Sequence, residues 1–142
     1  MRFVVASILA AAVLCQPAHA AAPNMREGMW EITMKMEMAG MPGGMPPQVL
    51  KQCMTKKDVE NPQKFAQGGP GADRCQISNY QLTGNTASWD MACKGPEEMT
   101  GSGTITFGGD SYTGTNRMSM KSGGQTQNMT MQYSGKRIGD CK

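Results

Sequence analysis

The sequence predicts an all-β protein: a curved antiparallel meander of about seven strands, open or closed into a barrel-like sheet, with one short helix and disulfide staples. Three observations carry that expectation. Residues alternate apolar and polar without error from Trp30 to Met38, the period-two signature of a strand with one dry face. Three glycine-centred turns, Gly84-Asn85, Gly109-Asp110 and Gly123-Gly124, divide the C-terminal half into segments of strand length. Four cysteines, Cys53, Cys75, Cys93 and Cys141, remain once the N-terminal leader is set aside, an even number suited to an oxidising compartment.

The leader comes first in the chain. Arg2 supplies a positive start, Phe3 to Leu14 is a short apolar run, and Ala18-His19-Ala20 has the small-x-small form of a secretory cleavage site. Residues 1–20 are therefore expected to be a signal peptide cleaved after Ala20, leaving residues 21–142 as a single exported β domain in the periplasm. The apolar run is too short to span a bilayer. Cys15 lacks the small residue that a lipoprotein site requires before its cysteine, so no membrane anchor is expected.

In the first strand Trp30, Ile32, Met34, Met36 and Met38 share one side, and Glu31, Thr33, Lys35 and Glu37 the other. The stretch Ala39 to Pro47, rich in glycine and proline, breaks the pattern as an irregular loop. A second strand is expected over Gln48 to Met54. Thr55 then caps a short helix over Lys56 to Glu60, with Asp58 at the third helical position completing a shortened capping box. Asn61-Pro62 limits this helix, and Gln67 to Gly71 reads as loop.

From Arg74 onward the turns set a register. Centring a two-residue turn on Gly109-Asp110 sets Phe107 opposite Tyr112, Ile105 opposite Gly114, Gly101 opposite Met118 and Met99 opposite Met120. Carrying it through Gly123-Gly124 brings Met118 to Met129, Asn116 to Met131 and Gly114 to Tyr133. Apolar meets apolar or glycine at nearly every step, while Thr100, Ser102, Thr104, Thr106, Thr113, Thr115, Arg117, Ser119 and Lys121 collect on the reverse face. A slip of one residue would turn every methionine to solvent, which is why the pattern specifies the register.

Four cysteines allow three pairings. A two-residue turn at Gly84-Asn85 sets Tyr80 against Trp89 and turns Cys75 and Cys93 to opposite faces. That favours Cys53 with Cys75 and Cys93 with Cys141. A three-residue loop would instead place Cys75 directly across from Cys93.

Composition narrows the chemistry. The only histidine, His19, lies in the leader, so Ser-His and Cys-His nucleophilic pairs and histidine metal sites are not expected in the exported domain. No Cys-x-x-Cys occurs, and Gly101-Ser102-Gly103 lies within a strand with the wrong spacing for a nucleophile elbow. Glu97 and Glu98 are adjacent, so on a strand they point to opposite faces and do not form an acid and base pair. Residues 21–142 carry thirteen Lys and Arg against eleven Asp and Glu, without a long run of either sign. No nucleic-acid footprint follows. The expectation is a protein that binds and does not catalyse, with no resident cofactor.

Methionine is the unusual component: fourteen in residues 21–142, against fifteen Val, Ile, Leu, Phe, Trp and Tyr combined. Being flexible, methionine fills irregular cores. A methionine-lined face is also adaptable enough to take a small lipophilic molecule or an exposed segment of a client protein. Alternatively, thioether sulfur is a soft ligand for Cu(I), for which Met38, Met41 and Met45 at the glycine- and proline-rich loop are the candidates. A third reading is a structural or interaction protein of the cell envelope. Composition leaves the oligomeric state open.

Three segments also share a family likeness: Arg26-Glu27-Gly28-Met29-Trp30-Glu31-Ile32-Thr33, Gln52-Cys53-Met54-Thr55, and Gly135-Lys136-Arg137-Ile138-Gly139-Asp140-Cys141. With the leader and the Met-Pro-Gly loop, they resemble a domain-of-unknown-function family, DUF3617, of small exported proteins of Gram-negative bacteria. Met29 and Glu27 stand where that family more often has Leu and Pro. The resemblance implies a periplasmic address and a cysteine framework of this kind, and it supplies no catalytic residue.

Overall fold

Alternation at two-residue period produces a sheet, and the computed structural model, which describes residues 22–40, 43–61 and 72–142, contains a single one. Its strands are β1 (Gly28–Met38), β2 (Gln48–Met54), β3 (Cys75–Thr83), β4 (Thr86–Cys93), β5 (Glu98–Phe107), β6 (Ser111–Ser122) and β7 (Gln125–Gly139). A four-residue helix α1 (Lys56–Val59) and one 3-10 turn (Ala72–Arg74) complete the described elements. The expected signal peptide, Met41 and the expected loop at Gln67 to Gly71 lie outside the described residues.

The spatial order is β2-β1-β7-β6-β5-β4-β3, with every pair antiparallel. This is the neighbour order of an up-and-down barrel with one pairing left out, that of β2 with β3. Chain neighbours β2 and β3 thus form the two edges, and among the described residues nothing pairs across that seam.

Register follows the turns. Phe107 pairs with Tyr112, Ile105 with Gly114, Gly101 with Met118 and Met99 with Met120. Met118 pairs with Met129, Asn116 with Met131 and Gly114 with Tyr133. At Gly84-Asn85 and Gly109-Asp110 the first central glycine has positive φ, +59° and +80°, the position where tight hairpins favour glycine.

The cysteine pairing differs from the favoured expectation. The bonds are Cys75–Cys93 and Cys53–Cys141. The two-residue turn does form, with Leu82 opposite Ala87, yet Cys75 still faces Cys93. A β-bulge reconciles the two: the register shifts between Ser78 and Gln81, and Asn79 takes φ +51°. Asn79 and Tyr80 together oppose Trp89, and this extra residue returns Cys75 to the face of Cys93. Asn79 also donates to the Asp90 carboxylate at 2.7 Å, which supports a left-handed conformation tolerated by Asn. The second bond ties the end of β2 to the segment after β7, on either side of β1. By loop-closure entropy, chain separations of 18 and 88 residues correspond to about 3 and about 4.5 kcal/mol respectively.

One face of the sheet is dry although no second layer covers it among the described residues. Trp30, Ile105 and Phe107 are fully buried, in one cluster with Ile32, Ala87, Trp89 and Tyr112. A single sheet buries such side chains only by curling around them, and glycines make room for the curl. A Cβ at Gly103 would lie 2.3 Å from the Trp89 ring, at Gly114 2.3 Å from Tyr133, and at Gly135 2.2 Å from Tyr112. Each ring packs against the bare backbone of its cross-strand partner.

One end of the curl is closed. Residues 22–27 run along the β5–β6 turn, where Met25 bridges to Gly109 and the Arg26 guanidinium pairs with Asp110. The Trp30 indole N–H donates to the Arg26 carbonyl at 3.1 Å, so the buried ring leaves no orphan donor. On the other side α1 contributes Val59, and Met54 joins the same cluster. The helix carries the expected capping box, in which the Thr55 backbone N–H donates to the Asp58 carboxylate at 3.0 Å; the Thr55 hydroxyl donates to the same oxygen at 2.6 Å.

Candidate functional site

The concave face is best followed row by row across the strands. Nearest the closed end, Ile32 on β1, Gly135 on β7, Tyr112 on β6 and Phe107 on β5 stand in line. Next come Met34, Tyr133, Gly114, Ile105 and Ala87, continued on β3 by Leu82. The third row holds Met36, Met131, Asn116, Gly103 and Trp89, with Tyr80 in the bulge beside them. The fourth holds Met38, Met129, Met118, Gly101, Met91 and Ile77. Met120 and Met99 follow, leading to Cys93 and Cys75.

Burial falls along the same direction. Residues of the first rows are mostly buried, whereas Met36, Met38, Met99, Met118, Met120, Met129 and Met131 are only half-buried and lie outside the buried cluster and its packed fringe. The two methionine groups read separately from the sequence, one on the first strand and one on the last hairpins, are therefore one continuous field. Of the three loop candidates for Cu(I), Met38 lies in this field. Half-buried Met45 comes back to it, its backbone N–H donating to the Met36 carbonyl at 3.0 Å. Met41 lies outside the described residues.

Two polar atoms interrupt the apolar surface. Asn116 Oδ1 and the Tyr80 hydroxyl are buried and have no hydrogen-bond partner among the described residues. Asn116 Oδ1 lies against Gly103, next to the Trp89 indole, so the two orphans flank Trp89 in the third row. Leaving such a group unsatisfied costs about 1–3 kcal/mol. Burial also pushes the Tyr80 phenol above its ordinary pKa, keeping it protonated and able to donate. Sequence patterning missed both: Asn116 was placed on the dry face by register, but nothing in the sequence marks an acceptor as unpartnered.

Charged residues gather elsewhere. A cleft of about 470 Å³ at the closed end is lined by Arg26, Lys56, Glu60 and Arg137 among others. Its cations are already engaged, Arg26 with Asp110, Lys56 with Glu60 and Arg137 with Asp140, which leaves little there to recognise a charged ligand. Among the described residues no group of three or more His, Cys, Asp and Glu converges. No described helix is long and apolar enough to cross a membrane.

The family model for a protein of unknown function (DUF3617) matches residues 25–141, from the bridge at Met25 to the disulfide at Cys141. The chain belongs to this family. The match spans all seven strands and both disulfides, so the curled sheet and its staples lie within the family domain. No curated protein matches the chain, and no solved structure does.

Proposed function

We propose that this DUF3617 protein is a non-catalytic periplasmic binding protein whose methionine-lined concave face takes a small lipophilic molecule bearing one hydrogen-bond donor. The orphaned acceptor Asn116 Oδ1, buried among half-buried methionines and beside Trp89, carries this reading. A ligand donor would satisfy it and recover the desolvation cost already present in the free protein. The surrounding thioethers have several rotatable bonds and fit themselves to an irregular apolar body. Recognition then needs few polar contacts, as in most small-molecule sites. The export leader in the sequence and the two disulfides favour an oxidising compartment outside the cytosol.

Titration with N-phenyl-1-naphthylamine, an apolar fluorophore with a single N–H, tests the reading. The expected result is saturable binding that quenches Trp89, weaker for the N-methylated analogue. Asn116→Leu is close in shape and should erase that preference while retaining apolar affinity. An absence of saturable binding to the folded, oxidised protein refutes the proposal.

A further inference from the structure

We propose that Met38, Met129 and Met118 form a binding site for a soft monovalent cation, Cu(I), at the open end of the concave face. The site is independent of the lipophilic ligand and lies one row further from the buried core than Asn116. Met38 pairs directly with Met129 and Met129 directly with Met118, so three thioethers stand abreast on β1, β7 and β6. Directly opposed residues of an antiparallel pair hold their Cβ atoms about 4.5–5.5 Å apart. Each sulfur lies two bonds beyond its Cβ on a flexible stem, and the sheet is concave on this side. Rotation about the side-chain bonds lets the outer two thioethers turn towards the central one, the arrangement that a shared ion requires. The Met118 Cγ lies over Gly101 on β5, 3.1 Å from where a Cβ there would stand, so Met118 turns from that glycine towards Met129 to join the group.

Donor chemistry selects the ion. Thioethers are soft ligands that suit Cu(I), whereas Zn(II) and Cu(II) sites call on imidazole, thiolate or carboxylate. All four cysteines of the described residues are held in disulfides, and no group of hard or borderline donors converges among those residues. An uncharged donor set also suits a singly charged ion in a half-buried apolar setting, since binding there needs no buried carboxylate. The loop after β1 returns at this end, where Met45 N–H bonds to the Met36 carbonyl. Its thioether is a candidate further ligand from outside the three strands.

The test is an anaerobic Cu(I) titration of the oxidised protein against a competing chelator, with and without Met38→Leu, Met118→Leu and Met129→Leu combined. Leucine keeps apolar volume and removes only sulfur, so the fold should persist, as circular dichroism checks. The expected result is one tightly held Cu(I) per chain, with affinity falling by about 100-fold or more in the triple variant, beyond the loss usual for an outer-shell partner. Met99→Leu with Met120→Leu, one row further out, should leave the affinity within a few-fold. Where the triple variant fails to fold, Met129→Leu alone decides: weaker Cu(I) binding by the folded single variant supports the site, and unchanged Cu(I) binding overturns it. Failure of the unmodified protein to compete with the chelator overturns it outright, whatever the dye result.

Discussion

The two ends of the concave face meet the same demand, keeping water off an uncovered sheet, with opposite means. At the closed end aromatic rings nest on glycines, Tyr133 on Gly114 and Tyr112 on Gly135, and Trp30 is sealed with its indole N–H satisfied. Such fits depend on shape and admit one arrangement. At the open end seven methionines on four strands remain half-buried, and flexible thioethers replace shape with adaptability. Rigidity at one end leaves the other free to repack around an occupant, so stability and binding are assigned to different rows of the same strands.

The strongest way to break this comparison is Trp30→Ala. Removing a fully buried tryptophan should cost about 3–5 kcal/mol in urea unfolding, while Met129→Ala at the open end should cost clearly less. Equal losses at the two positions would show that the methionine rows are as firmly packed as the aromatic ones. The nested rings give a second, smaller effect. Gly135→Ala drives a methyl group to within 2.2 Å of Tyr112 and should cost about 1–3 kcal/mol by overpacking. Tyr112→Leu in the same chain should recover part of it. Additive losses would mean that the ring does not rest on the glycine.

The division between these ends was only half legible in the sequence. The strand registers from β5 to β7 followed from turn positions, because a one-residue slip reverses every side chain. The helix cap at Thr55 and Asp58 followed from local chemistry. The cysteine pairing did not, since a single extra residue at Asn79 and Tyr80 carries no strong signal and reverses the face of everything beyond it. For the site, alternation showed which residues face inward, yet not how far each row lies from water. That depends on the curl and on what closes each end, and both are long-range properties. The joining of Met38 with Met118 and Met129 needed β1 to pair with β7, a contact about ninety residues apart in the chain that no turn announces.

Alkaline titration sharpens the comparison without a mutation. Burial holds the Tyr112 phenol at about 12 and pushes Tyr133 higher still, from an ordinary value near 10. Tyr133 also donates to the Thr104 carbonyl at 3.3 Å, a bond its phenolate cannot make. Both groups favour the protonated form in the folded state. Their contribution to stability is therefore complete below pH 10 and is lost as the pH rises through about 12. The melting temperature should hold up to pH 10 and fall steeply above it. Phenolate absorbance appearing near pH 10 for both residues in the folded protein would show that the closed end is wet.

The smallest perturbation is oxygen transfer from peroxide, which converts a thioether into a polar sulfoxide and reports access to each sulfur. Met25 and Met54 lie in the buried cluster at 8% and 4% exposure, so peptide mapping should find them oxidised last. Met36, Met38, Met99, Met118, Met120, Met129 and Met131 should react first, and the far-ultraviolet circular dichroism should stay unchanged while they do. Their oxidation should also abolish naphthylamine binding, because sulfoxides hydrate the face on which the apolar body rests. Equal rates for Met54 and Met129 in the folded protein would remove the distinction between the two ends. Fast oxidation at the rim with dye binding retained would instead leave the methionines accessible but not part of the lipophilic site, and would move that site inward to Trp89 and Asn116.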